Sequence, residues 1–108
     1  MTELQDEVAR SADAANLHAP VPTLLLELQT LLGALSATVT SATDRGRRPF
    51  RPGPDWAPHL GELAYGVYLL ADQSGVDVSD VVRRTAQGLA AQGERAKAAD
   101  EADWPFEG

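Results

Sequence analysis

The sequence predicts an all-α protein, a four-helix bundle of residues 1–99 that is completed by dimerisation. Three observations lead to this fold class. Four segments of the 108-residue chain repeat apolar residues with the helical period. Prolines and glycines separate those segments, and no segment alternates apolar and polar residues as a half-buried strand would. Four short helices also bury little surface alone. Residues 100–108 follow as an acidic tail with two aromatic residues, Trp104 and Phe106.

The first two helices are delimited by polar caps and prolines. The first runs from about residue 3 to 16, because Thr2 can cap it and Gln5 stands at the capping-box position. Prolines in the following segment NLHAPVP prevent it from continuing. The second runs from about residue 23 to 40, and its uncharged back face of small residues predicts packing on both sides. Its core stripe is Leu24, Leu25, Leu28, Leu31, Leu32, Leu35 and Val39.

The last two helices have clear start and stop signals. The third runs from about residue 58 to 74, with Asp55 as a candidate cap and Gly75 at the left-handed C-terminal position. The fourth begins at Asp77 and continues to about residue 99. The third helix has an expected core stripe of Leu60, Leu63, Ala64, Val67, Leu70 and Ala71, and an opposite face of Glu62, Tyr65, Leu69 and Asp72.

Composition narrows the classes of function. The net charge of −7 disfavours nucleic acid as a partner, and the absence of cysteine excludes thiolate zinc sites and cysteine nucleophiles. No apolar run approaches the roughly 20 residues that span a bilayer, so no membrane partner is expected. The N-terminus is acidic from Glu3, unlike a targeting peptide. We therefore expect a cytoplasmic protein.

The loop of residues 41–57 is rich in proline and arginine. Its four arginines, Arg45, Arg47, Arg48 and Arg51, lie within seven residues. Guanidinium groups suit bidentate recognition of phosphates and carboxylates, so the cluster is a candidate site for a phosphate or an acidic partner. The alternative is a solvated loop whose charge offsets the sixteen acidic residues of the chain.

The stretch ELAYGVYLLADQSGVDVSDVVRR carries a resemblance to a known family. It resembles the C-terminal half of the MazG-like, all-α nucleotide pyrophosphohydrolases, in which an E-L-x-D-x-x-x-Y-L-L-x-L-A helix precedes a G-[IV]-D turn and a further helix. Upstream, PTLLLELQTLLGAL resembles the leucine-rich helix that carries E-E-x-x-E in that family. The resemblance spans most of residues 4–90. The matching residues are Glu62, Leu63, Tyr68, Leu69, Leu70, Ala71, Gly75, Val76, Asp77 and Val82.

The resemblance implies a Mg²⁺-dependent hydrolysis of nucleoside triphosphates to monophosphate and pyrophosphate, with the metal held by E-E-x-x-E and E-x-x-D. In this sequence Glu62 matches the second motif, and Tyr65 replaces its aspartate. Two alignments of the first motif are possible, and each leaves Glu27 as its one carboxylate. The three glutamates are replaced by Leu26, Glu27 and Thr30 in one alignment, and by Thr23, Leu24 and Glu27 in the other. Thr85 and Leu89 stand where the family has its lysine and asparagine.

These departures predict a MazG-like protein with a degenerate metal site that acts without catalysis, through protein–protein or ligand binding. Glu27 and Glu62 are the residual metal candidates, and no cofactor is expected. The alternative is a Mg²⁺-dependent nucleoside triphosphate pyrophosphohydrolase with a reduced acidic site, and an unrelated helical adaptor is a third hypothesis. We expect a homodimer or dimer-based oligomer and a protein partner, and leave a nucleotide open. The expected interface, or refilled pocket, is Leu26, Thr30, Tyr65 and Leu69.

Overall fold

The computed structural model describes residues 2–102, and in that range the chain is all-α with four helices and no strand. This confirms the predicted all-α class. Helix α1 spans Glu3–Ala15, α2 spans Val21–Ala42, α3 spans Trp56–Gln73 and α4 spans Val78–Ala102. The predicted aromatic tail residues Trp104 and Phe106 lie outside the described residues.

Contacts between residues divide the chain into two compact units, Met1–Asp77 and Val78–Gly108. The first unit contains α1, α2 and α3. The second contains α4, whose first turn carries Asp80 and whose Arg84 donates a hydrogen bond to the Asp80 carboxylate one turn earlier. Each unit is described by itself below.

Helix α1 is attached to the first unit by a small core and one buried polar side chain. Thr2 caps α1 by accepting a hydrogen bond from the backbone N–H of Gln5 at 3.3 Å, as predicted. The Gln5 side chain is fully buried, and its Nε2 donates to the carbonyl of Val76 at 2.7 Å. This bond connects the start of α1 to the turn after α3. The core cluster comprises Val8, Ala12, Leu24 and Leu69.

Helices α2 and α3 form an antiparallel pair. Leu24 near the start of α2 and Leu69 near the end of α3 share one core cluster, which requires opposite helix directions. Farther along the pair, a Cβ built on Gly66 would lie 2.7 Å from Cδ2 of Leu28 and 3.4 Å from Cδ1 of Leu31. Only a glycine accommodates this approach without displacing the leucine side chains. Gly66 therefore sets the distance between the two helices.

The end of α3 follows the predicted glycine signal. Gly75 adopts a left-handed conformation with φ of 70°. The backbone N–H of Val76 donates to the carbonyl of Ala71 at 2.8 Å, and that of Gly75 donates to Asp72 at 3.2 Å. These two bonds are the Schellman pattern, which satisfies carbonyls left open at a helix end. The Gly75 prediction is thus confirmed.

The predicted faces of α3 require correction. Leu69, expected at an interface or in a refilled pocket, is only 4% exposed within the chain, and Tyr65 is half-buried. Leu60 and Val67, expected in the core, are exposed. The reason is that α1 packs on α3 along the side that carries Tyr65 and Leu69. The periodicity identified two apolar faces correctly but could not determine which of them α1 would cover.

The prediction that no apolar segment approaches membrane-spanning length was wrong for α2. By length and composition alone, Val21–Ala42 meets that criterion, as core helices of soluble proteins also can. The leucine run is interrupted by serine, threonine, glycine and glutamine, but Glu27 is the one charged residue in the helix. The sequence prediction counted only uninterrupted apolar residues. Uncharged polar residues and glycine lower the mean hydropathy of a helix too little to exclude it by length and composition.

Two glycines of α3 allow a matched test of the helix contact. A Cβ added at Gly61 would point into open space, whereas a Cβ added at Gly66 would meet Leu28. We expect Gly61→Ala to raise the free energy of unfolding by roughly 0.5–1 kcal/mol, since alanine is the better helix former. The free energy of unfolding of Gly66→Ala should be lower than that of Gly61→Ala by about 1 kcal/mol or more, because Leu28 must move. Urea unfolding followed by circular dichroism measures both, and equal effects would contradict the close approach.

Candidate functional site

A pocket of about 490 Å³ opens between α2 and α3, next to the end of α1. Its volume lies within the range of small-molecule sites, roughly 300–1,000 Å³. The wall from α2 begins one turn into that helix, and the wall from α3 covers its middle. The lining residues are Leu17, Leu24, Glu27, Leu28, Leu31, Gly61, Glu62, Tyr65, Gly66 and Leu69.

The helical period explains why these residues share one pocket. On α2, Glu27 lies three residues after Leu24 and four before Leu31, so the three side chains are on neighbouring positions of one face. On α3, Glu62 and Leu69 are separated by two turns, with Tyr65 between them. Each helix therefore contributes one exposed carboxylate beside apolar side chains.

Tyr65 forms part of the pocket wall and is oriented by α1. Its Oη lies 2.7 Å from Oγ of Ser11 and 3.5 Å from the carbonyl oxygen of Val8. Ser11 Oγ in turn donates to the Val8 carbonyl at 2.8 Å. The two hydroxyls therefore contact each other and the same carbonyl oxygen. The Tyr65 hydroxyl is thus directed to α1, and its ring is left to line the pocket.

The structure gathers four of the residues singled out in the sequence and separates two. Glu27, Glu62, Tyr65 and Leu69 all line the pocket. Leu26 does not, and 64% of its surface is exposed. Thr30 is also exposed, and its hydroxyl donates to the Leu26 carbonyl at 3.4 Å within α2. Leu26 and Thr30 therefore belong to a different surface from Tyr65 and Leu69.

The pocket residues do not fit the magnesium site that the family resemblance implies. Mg²⁺ takes an octahedron of oxygen ligands, and the family supplies up to five acids. Here two carboxylates face an otherwise leucine-, glycine- and tyrosine-lined pocket. Across residues 2–102, no three histidine, cysteine, aspartate or glutamate side chains are grouped so that they could hold a metal ion. We derive no metal-dependent step for this pocket.

The arginine cluster lies on the exposed loop after α2. Arg47 and Arg48 approach the Asp44 carboxylate at 3.7 Å and 4.0 Å, and both guanidinium side chains are largely exposed. Asp44 and Arg45 have left-handed backbones, with φ of 47° and 58°. Farther along the same loop, the rings of Phe50 and Trp56 pack edge to face, 4.9 Å apart. All four arginines are thus available to solvent, and none of them lines the pocket between α2 and α3.

The two histidines have local partners. His18 Nε2 lies 2.9 Å from a carboxylate oxygen of Asp13, and its Nδ1 lies 3.3 Å from Oε1 of Gln73. His59 Nδ1 donates to the Asp55 carbonyl at 2.7 Å, one turn earlier. These contacts are those of residues that fix helix ends.

Sequence reasoning did not single out the glycines that help to form the pocket. Gly61 and Gly66 both line it, five residues apart on α3. Glycine costs stability inside a helix, so two glycines in one apolar helix were an available signal for close approach or open volume. Leu17 was also missed, since it lies in a proline-rich connection that the helical period does not cover.

Comparisons of this chain with protein-family models, with curated proteins and with solved structures find no match.

The hydrogen bonds of Tyr65 lead to a prediction about stability. Tyr65→Phe keeps the ring and removes the hydroxyl that is hydrogen-bonded to Ser11. We expect a loss of roughly 0.5–1.5 kcal/mol in the free energy of unfolding. The control is Ser11→Ala combined with Tyr65→Phe in a double-mutant cycle measured by urea unfolding. Strictly additive effects of the two changes would show that the two hydroxyls do not interact.

Proposed function

We propose that this chain is a MazG-like protein with a degenerate metal site, which binds its ligand or partner without hydrolysing nucleotides. The observation that carries the proposal is the composition of the pocket between α2 and α3. Glu27 and Glu62, the two carboxylates retained at family motif positions, line the same pocket as Tyr65 and Leu69. The residual acids therefore share a site with the side chains that replace or flank the missing ones.

The chemistry of such a pocket opposes triphosphate hydrolysis. A triphosphate carries several negative charges, which metal ions and cationic side chains normally neutralise. Within residues 2–102, the lining offers two carboxylates and no basic side chain. Without enough oxygen ligands to hold Mg²⁺, the carboxylates repel the phosphates. Leucine side chains cannot replace the lost hydration of those phosphates.

The same proposal includes a homodimer formed through α2 and α3. Several large apolar residues of these helices remain in solvent within one chain, namely Leu25, Leu26, Leu32, Leu60 and Val67. At about 100° per residue, Leu25 and Leu32 lie on the flank of α2 opposite to Glu27. A second copy that covers this flank leaves the pocket on the other flank free. Exposed apolar surface of this extent on one helix pair is typical of an interaction site.

The second candidate is a Mg²⁺-dependent nucleoside triphosphate pyrophosphohydrolase with a reduced acidic site. One observation favours it, since Glu27 and Glu62 come from different helices and still face one pocket. Substrate phosphates would have to supply the remaining oxygen ligands. The two functions differ in whether turnover occurs and whether it depends on these carboxylates.

An assay of nucleotide hydrolysis tests the proposed function directly. We expect no pyrophosphate release when the purified protein is incubated with each common nucleoside triphosphate and Mg²⁺ or Mn²⁺. Calorimetric titration with the same metals should show no stoichiometric sub-millimolar site, because two carboxylates are too few. Turnover that disappears in both Glu62→Gln and Glu27→Gln, with Glu7→Gln unchanged, would establish the pyrophosphohydrolase.

The oligomer is tested by placing a charge on the exposed flank. Light scattering at micromolar concentration should give the wild type the mass of a dimer or a multiple of it. Leu25→Glu and Leu32→Glu should lower that mass, since a carboxylate without a partner is costly to bury in an interface. The control is Ala14→Glu on the exposed side of α1. A monomeric wild type would exclude the dimer.

A further inference from the structure

We propose that the pocket between α2 and α3 binds an amphipathic amine, a small molecule with an apolar body and one positively charged head group. This inference deepens the proposed function, on which it rests, by naming the chemical class of the ligand. It follows from two properties of the lining, its apolar walls and the single sign of its charge.

The walls favour an apolar body. Leu24, Leu28 and Leu31 line one side of the pocket, and the ring of Tyr65 and Leu69 line the other. The hydroxyl of Tyr65 is already hydrogen-bonded to Ser11 of α1, which leaves Glu62 as the polar side chain of that wall. An alkyl or aryl group that fills this volume gains burial of apolar surface on both sides. A strongly hydrated ligand loses its water without replacement.

The charges favour a cation. Glu27 and Glu62 lie on opposite walls and both are exposed, and among the described residues no lysine, arginine or histidine lines the pocket. The chain as a whole carries a net charge of −7, so its field attracts cations over a longer range. An ammonium group in this pocket is attracted by the carboxylates of both walls and can form a charge-assisted hydrogen bond, whereas a carboxylate or phosphate is repelled.

Gly61 provides the volume for the ligand and a means to remove it. It lines the pocket in the interior of α3, and a Cβ built on it meets no described atom within 4 Å. A leucine at this position would occupy the pocket rather than strain the helix. Gly88 is a matched control, because it also lies within a helix, α4, and its Cβ position is equally open.

The experiment compares three octyl probes of similar size, octylammonium, octanol and octanoate, by calorimetric titration of the full chain. The ionic probes are kept below their micelle concentrations, and octanol is kept below its solubility limit. We expect octylammonium to bind about tenfold more tightly than octanol, and octanoate to bind most weakly. The double variant Glu27→Gln with Glu62→Gln keeps the shape of both side chains. It should reduce the preference for octylammonium to within about twofold of octanol.

Gly61→Leu should abolish binding of all three probes, and Gly88→Leu should bind them as the wild type does. Circular dichroism confirms that each variant is folded. The inference is overturned if octylammonium and octanoate bind equally to the wild type, if no probe binds, or if the glutamine variant keeps the full preference. These results do not depend on turnover. If the protein neither releases pyrophosphate nor binds an amine, this inference alone is refuted. If it releases pyrophosphate and that release depends on the two carboxylates, the proposed function is refuted.

Discussion

The close approach of α3 to α2 at Gly66 fixes the geometry of the first unit. With Leu28 against the glycine backbone, the two helices lie close at one point, and the space beside that point becomes the pocket. Helix α1 then covers the side of α3 that carries Tyr65 and Leu69. Because one helix covers one flank of a pair, the opposite flank keeps Leu25 and Leu32 in solvent. The pocket and the exposed apolar surface are thus two consequences of one helix contact.

Position 65 shows how the surroundings select a side chain. The hydroxyl there lies beside two oxygen atoms, Oγ of Ser11 and the carbonyl of Val8. A phenol satisfies this arrangement because its hydroxyl can both donate and accept a hydrogen bond. An aspartate at the same backbone position is too short to reach these oxygen atoms. The surroundings of position 65 therefore suit a tyrosine, whose ring and hydroxyl extend from α3 to α1.

The sequence was sufficient for the local features and insufficient for the tertiary ones. The Thr2 cap and the left-handed Gly75 depend on a few neighbouring residues, and both were predicted correctly. The pairing of Glu27 with Glu62 in one pocket followed only from the family motif, since they are far apart in sequence. The burial of Leu69 against α1 was not predicted, because α3 is apolar on two faces and periodicity does not reveal which face α1 covers. The burial of Gln5 had no sequence signal, since its partner is the backbone carbonyl of Val76.

The position of the arginine loop also bears on which ligand the pocket can hold. Arg45 and Arg48 are tied to the end of α2 by backbone hydrogen bonds to Thr40 and Thr43. Glu27 lies fifteen residues before the last residue of that helix, or about 22 Å along its axis. This distance exceeds two Debye lengths at physiological salt, roughly 8 Å each, and the reach of an arginine side chain. These two arginines therefore neither neutralise the carboxylate of Glu27 nor contact phosphates bound beside it. For them to bind phosphate in this pocket, the loop of a second copy would have to reach it.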